Sequence, residues 1–360
     1  MINPLPVPET SPLDGRTLKH VAALLRPFLP FTKKSGIPDP LVVIEATTLR
    51  YTGPLPDRSR EQWSVVVDHP ALADLPDGVY AWKALDAAMK TGAATWRRGD
   101  RGFFYGSMFI PAATSDPPAT PTVPPLRCVA DLPARAWRWL ADATNPADIL
   151  HPLCTYIACG ADGFYACDGV IMHHVDPVGA SPLAATDEQP PVALNPWPFP
   201  PHGQIAVFVG SGASRCEWAD RPADPVVTVT APLEACRFPN FRSIYPGADA
   251  IRSTRPLDQA RIIQESATLA RLNRQTPLRF DPCRGRLYSD DYDTVWEGIP
   301  WVPDAPCTIP TEYDPALWAR TWRNWPESES QWMVTDDPRT PLIVQGPRAW
   351  ALVMALRRVG

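Results

Sequence analysis

Hydrophobic residues recur at helical spacing in a few short windows of this chain and alternate or cluster at strand spacing through most of the remainder. In residues 13–29 (LDGRTLKHVAALLRPFL), Leu18, Val21, Ala22, Leu25 and Phe28 share one helical face, and Asp14 stands where an N-cap would. Residues 41–46 (LVVIEA) then form an apolar, β-branched run that predicts a strand. The pattern returns at residue 131, where LPARAWRWLADAT puts Leu132, Ala136, Trp139 and Leu140 on one face. Residues 154–167 (CTYIACGADGFYAC) follow and predict a hairpin turning at 160–163. It returns again at residue 256, with Leu257, Ala260, Ile263, Ala267 and Ala270 at helical spacing and strand-like LRF and GRLYS behind them.

Each third of the chain then adds a second segment. In the first it is residues 79–92 (VYAWKALDAAMKTG), ahead of GFFYGSMFI. In the last it is residues 314–325 (DPALWARTWRNW), with Asp314 as cap and Pro315 at the first helical position, ahead of QWMVTD, PLIVQG and WALVMALR. The middle third has NPWPFPPHG at this place, residues 195–203, where four prolines forbid a normal helix; strands resume as QIAVFVG, SRCEWA and PVVTVTA. The simplest partition is a proline-rich extension, residues 1–12, and three α+β units of about 120 residues each, 13–125, 126–246 and 247–360.

Composition supports a folded, turn-rich chain. There are 46 prolines in 360 residues, about 13% against a usual share of about 5%. Each removes a backbone donor and disfavours helix in its predecessor, which favours short helices, strands and turns. Disorder is excluded by 14 Trp, 11 Phe and 9 Tyr, which supply more apolar anchors than a disordered chain carries. No stretch approaches the ~20 apolar residues that span a bilayer, and residues 1–12 lack a signal-peptide pattern, so the expected location is cytoplasmic. The eight cysteines include no CxxC pair, which points to reduced thiols rather than a disulfide framework or zinc site.

Charge separates the repeated helices from the rest. Residues 13–29, 132–143 and 256–275 hold eight basic residues against four acidic ones, whereas the whole chain holds 34 against 39. Equivalent basic elements on an acidic body suggest one surface meant for a polyanion; a solvated helix face is the other reading of the same charges.

With these features in place, the chain resembles a known family, the bacterial DNA polymerase III β subunits or sliding clamps. RFPNFRSIYP, residues 237–246, resembles the family's FP-x-[YF]-R-x-[VIL]-x-P linker into the last domain. YACDGVIMHHV, residues 165–175, resembles the ATDGHRL segment with Asp168 and Gly169 kept, and WALVMALRR, residues 350–358, resembles the terminal V-M-P-M-R-L strand. The resemblance runs in order along nearly the whole chain. It implies three clamp-type domains with helices on one face of antiparallel sheets, and a ring closed by two chains head to tail. Such a homodimer would encircle duplex DNA without reading sequence and would tether the replicative polymerase as a non-catalytic processivity factor without a cofactor.

The DNA-facing set is then the basic residues of the repeated helices, Arg16, Lys19, Arg26, Arg135, Arg138, Arg261, Arg271 and Arg274, together with Lys33 and Lys34 in the loop where the family places a basic residue facing the duplex. Lys33 and Lys34 form an adjacent pair in a chain with only five lysines. A hydrophobic pocket for short peptides of the polymerase and clamp loader is implied between the middle and last domains. On one side its wall would be Leu153, Cys167, Gly169, Val170, Ile171 and Met172. The rest would come from Pro246, Leu352, Val353, Met354 and Leu356. Methionine and branched residues at element ends suit an adaptable groove, although Met354 and Leu356 also read as core residues of an edge strand. The dimer seam falls on Tyr105, Phe109, Leu269 and Leu272. Departures surround the pocket: Val170-Ile171 stand for His-Arg, Ala355 for Pro, His151-Pro152 for a tyrosine pair, and Val359-Gly360 follow the arginines. They imply an altered peptide specificity.

Enzymatic readings fare poorly. His173 and His174, near Asp168 and Asp176, are adjacent in a predicted strand and so face opposite ways, which works against a shared metal. GSGAS, residues 210–214, lacks a phosphate-loop lysine and reads as a hairpin turn. Cys167 has a neighbouring acid but no base in sequence. The alternative to the processivity clamp is a clamp-like regulator or decoy that binds partners or DNA without closing a ring.

Overall fold

The computed structural model describes residues 11–12, 14–29, 39–55, 58–116, 119, 122–145, 148, 151–160, 162–177, 191–221, 226–233, 238, 245, 253–256, 263, 265, 268–271, 275–281, 286–290, 293–294, 311–334, 341–354 and 356. The chain forms two compact units, residues 1–128 with 203–233 and residues 129–202 with 234–360.

In the first unit, an antiparallel sheet runs in the order Gly78–Ala81, Leu41–Glu45, Thr48–Leu55, Arg58–Asp68, Val226–Pro232, Ala213–Ala219, Gln204–Gly210, ending on Leu126–Pro133, of which residues 126–128 belong to this unit. Strands from distant parts of the sequence meet where Arg58–Asp68 pairs with Val226–Pro232. There Val65 faces Val229 and Val67 faces Val227, all four buried. Such β-branched cross-strand pairs hold two half-sheets together. A second, four-stranded sheet has the order Ser11–Pro12, Thr95–Gly99, Gly102–Tyr105, Met108–Pro111. The predicted helix in residues 13–29 spans Gly15–Leu25, and the Asp14 carboxylate accepts from the Thr17 N–H at 3.1 Å. Its neighbour is Trp82–Thr91, which ends on Gly92 at φ +66°. A Cβ on Gly15 would lie 2.4 Å from the Ala93 carbonyl oxygen, so only glycine lets the helix start approach this closely.

The second unit repeats the plan. Its large sheet has the order Val192–Leu194, Ile157–Gly160, Gly163–Cys167, Ile171–Val175, Ala349–Val353, Leu342–Gln345, Gln331–Val334, Ser253–Pro256. The junction of sequence-distant halves is Ile171–Val175 against Ala349–Val353. Ala134–Asp142 and Pro315–Trp322 are its helices, and residues 263, 265, 268 and 269 of the third repeated helix are helical. A four-stranded sheet, Asp293–Thr294, Arg286–Tyr288, Leu278–Asp281, Thr311–Tyr313, completes it. Trp139, Trp318, Trp322, Trp325 and Trp332 are buried in this unit, and the Trp139 indole N–H donates to the Thr321 carbonyl at 2.7 Å.

Residues 195–203 form no helix, as their prolines require. They make an irregular strap in which Trp197 and Phe199 are buried. The carbonyls of these two residues accept from the Trp137 indole N–H at 2.9 Å and from Arg138 Nη1 at 3.4 Å. Side chains of the helix thus replace the backbone donors that a proline-rich segment lacks.

Candidate functional site

The hairpin predicted at 154–167 is present as Ile157–Gly160 and Gly163–Cys167, and the chain then turns through Asp168, Gly169 and Val170 into Ile171–Val175. Asp168 builds this turn. Its Oδ1 accepts the N–H groups of Val170 at 3.0 Å and Ile171 at 2.9 Å, and its own N–H donates to the Ile171 carbonyl at 3.2 Å. Gly169 sits at φ +90° with its N–H directed to Cys167 Sγ at 3.1 Å. The Val170 carbonyl accepts from Met354 N–H at 2.9 Å, which extends the pairing of the two strands beyond Ile171 and Val353.

Strand alternation sorts the expected pocket residues between two faces. Ile171 and Val353 lie opposite each other, on the same face as His173. The His173 ring stacks on Trp139 of the Ala134–Asp142 helix at 4.0 Å and 5°. Met172 and Leu352 lie on the other face, in a buried cluster with Ala158, Tyr165 and Ile343. Cys167, Phe238, Tyr245, Met333 and Trp350 pack against this cluster. Tyr245, the penultimate residue of the linker-like motif, packs against Trp350 with the rings 5.1 Å apart and tilted by 60°, and donates its hydroxyl to Gln345 Oε1 at 2.7 Å. Ile171, Met172, Leu352 and Val353 are all buried, Ile171 and Val353 on the face that meets Trp139 and Met172 and Leu352 on the other, while Leu153, Cys167, Val170 and Met354 are half-buried and Gly169 and Leu356 exposed. Pro246 lies outside the described residues.

Burial pushes the Cys167 thiol up to about 11, against the opposing Gly169 N–H, and raises the Cys154 thiol as well. Both thiols are protonated at neutral pH. His173 and His174 point to opposite faces, one onto Trp139 and the other onto Trp350 at 4.8 Å. Among the described residues, no cluster of His, Cys, Asp or Glu has the composition of a metal site.

The turn has a support that the sequence reading missed. Arg320, in the Pro315–Trp322 helix, donates from Nη1 to Asp168 Oδ2 at 2.7 Å. Its Nε donates to the Asp142 carbonyl at 2.9 Å, and its Nη2 to the carbonyls of Asp142 and of Thr144, the latter at 3.3 Å. Beside it, burial raises the Asp142 carboxyl, against the Asn324 amide, which donates to it at 3.0 Å, and against nearby arginines. The available signal was a lone charge in an otherwise uncharged helix, PALWARTW.

The expected basic residues fall into three groups. Arg16 and Lys19 are exposed on the outward side of their helix with His20 and Ala23; Arg135 and Arg271 are also exposed. Arg26 and Arg138 have internal partners. Arg26 holds Asp86 at 2.7 Å, and the same carboxylate takes Lys90 at 2.6 Å, while Arg138 reaches the Phe199 carbonyl. Lys33, Lys34, Arg261 and Arg274 lie outside the described residues, as does Leu272 of the expected seam. Of the other seam residues, Tyr105 and Leu269 are fully buried and offer no surface. Phe109 is 45% exposed on the edge strand Met108–Pro111. It packs on Phe104 at 5.0 Å, and the Arg97 guanidinium lies 3.8 Å from the centre of the Phe104 ring.

No family model matches the sequence, and no curated protein matches it. Solved structures match over nearly the full length. The sliding clamp of Pseudomonas aeruginosa bound to griselimycin gives a TM-score of 0.64 at 14% identity, over 98% of this chain and 100% of its own. The Helicobacter pylori β clamp bound to a DNA ligase peptide gives 0.67 at 11%, over 97% and 100%. The DNA polymerase III β subunit of Borrelia burgdorferi in complex with a natural product gives 0.63 at 8%, over 98% and 99%. The chain is clamp-like along its whole length and has the sliding-clamp fold, in a sequence only 8–14% identical to these three clamps.

Proposed function

We propose that the chain is a non-catalytic sliding clamp of the cytoplasm. In this reading three domains, 13–125, 126–246 and 247–360, close as a head-to-tail homodimer around duplex DNA and tether the replicative polymerase. The observation that carries it is a match to clamps that leaves essentially nothing over on either chain, 97–98% of this one and 99–100% of theirs. Sheet completeness supports the dimer. Among the described residues, two sheets have eight strands each and two have four. In the large sheets a strand in the place of Asp293–Thr294 is the one that joins, so pairing the edge strand Met108–Pro111 with the Asp293–Thr294 edge of a second copy would bring all sheets to one size and cover an open edge. Exposed Arg16, Lys19, Arg135 and Arg271 supply diffuse positive charge for a sequence-independent hold on phosphates. Leu153, Cys167, Val170, Met354 and Leu356, over the buried Met172 and Leu352, form the receptor for short apolar peptides of the polymerase and clamp loader.

Light scattering behind size exclusion tests the dimer. The expected mass is twice that of the 360-residue chain. Phe109→Asp, which puts a charge on the exposed edge, should weaken the dimer about tenfold or more. Leu269→Asp is unsuitable because Leu269 is fully buried and its replacement would report folding. A wild-type monomer at every concentration would contradict the ring and favour the non-closing regulator.

A further inference from the structure

We propose that Arg320 is a positioning residue for the peptide pocket, clamping the Asp168 carboxylate and with it the 168–170 turn at the pocket's rim. The proposal deepens the pocket reading and rests on it. Backbone bonds flank the turn, from the Asp168 N–H to the Ile171 carbonyl, from the Gly169 N–H to Cys167 Sγ and from the Met354 N–H to the Val170 carbonyl, but no side chain other than Arg320 is seen to hold the Asp168 carboxylate among the described residues. Gly169 is exposed at φ +90°, and a Cβ placed there would meet nothing within 4 Å, so packing does not fix the tip. Its shape depends on the Asp168 carboxylate. One oxygen gathers the Val170 and Ile171 N–H groups; the other takes Arg320 Nη1 at 2.7 Å. That carboxylate side chain is 7% exposed and the arginine 25%, so the pair is largely out of water, where a charge-assisted bond is strong and an abandoned partner costly.

Arg320 is itself anchored at the other end. Nε and Nη2 donate to the carbonyls of Asp142 and Thr144, where the Ala134–Asp142 helix ends and leaves acceptors without helical partners. One planar guanidinium thereby ties the end of that helix to the rim turn across the Pro315–Trp322 helix that carries it. Lysine, with a single compact head, cannot reach acceptors on both sides at once. Val170, whose carbonyl also receives the Met354 N–H, is the residue this bracing places against the terminal strand. Bracing of this kind sets pocket geometry without touching the ligand.

The test compares wild type, Arg320→Lys and Arg320→Ala by hydrogen exchange and by titration with griselimycin, the ligand of the Pseudomonas clamp. Amide exchange at Val170 and Ile171 should accelerate about tenfold or more in both variants while the Ile157–Gly160 strand keeps its rates. Griselimycin binding should weaken about tenfold in both, with no rescue by lysine, and the retained charge of Arg320→Lys guards against mere loss of folding. Unchanged exchange at the turn, a uniform rise across the unit, or full rescue by lysine would overturn the proposal. A wild-type protein that fails to bind griselimycin while the turn still loosens in the variants would count against the pocket reading, not the bracing.

Discussion

At the scale of single residues, His173 shows how the fold uses a titratable group without chemistry. It is fully buried, lies flat on Trp139, and its Nδ1 makes a 2.7 Å hydrogen bond with the Trp139 carbonyl. Burial pushes its pKa down to about 3, against the carbonyl bond and with the help of the Arg320 charge. The folded value lies below the ordinary value of about 6.5, so the unfolded chain takes up the proton first. The stability tied to neutral His173 is therefore complete above about pH 6.5 and is lost as the pH falls toward 3, at up to about 1.4 kcal/mol per pH unit. His173→Phe keeps an aromatic against Trp139 and removes the proton. Its urea midpoint should be lower than wild type at pH 8, because the Trp139 carbonyl loses its partner, and should fall less steeply between pH 6.5 and 4. Parallel pH profiles would contradict this. The opposite facing of His173 and His174 was legible from strand alternation alone, and Asp168-Gly169 from a local motif. The role of Arg320 was not, because it joins residues from three separate parts of the chain.

At the scale of elements, the strap at 195–203 carries the clearest consequence of the proline content. Its carbonyls are met by Trp137 and Arg138, and its anchors are Phe199 at 0% and Trp197 at 7% exposure. Phe199 stacks edge-on to Trp137 at 6.0 Å. Phe199→Ala should cost about 3–5 kcal/mol in urea unfolding, the usual penalty for emptying a buried aromatic site. A loss below about 1 kcal/mol would mean that the strap is only draped over the helix. Periodicity revealed the Gly15–Leu25, Ala134–Asp142 and Pro315–Trp322 helices and the hairpins, each with the expected cap where Asp14 and Asp314 stand. It ran out in two places. The segment 79–92 divides into a strand, Gly78–Ala81, and a helix, Trp82–Thr91, because a short apolar run serves either structure. The long strands Thr48–Leu55 and Arg58–Asp68 carry too many polar residues to stand out, and their place in the sheet depends on distant partners such as Val227 and Val229.

At the scale of the whole molecule, local signals cannot reveal which half-sheets meet. The Val65–Val229 and Ile171–Val353 junctions join segments far apart in sequence, and neither periodicity nor the family motifs say that these strands pair. A ring holds DNA by enclosure, so it should enter and leave only at an open end. The direct measurement uses linear duplex fixed to beads at one end and carrying biotin at the other, with streptavidin added before or after the protein, followed by washing at moderate salt. Screening weakens any surface attachment under such a wash but does not open a ring. A closed ring should be retained when the end is blocked after the protein has threaded on, lost when it is left open, and unable to load when it is blocked first. Equal retention in all three arms, or none in any, would contradict it.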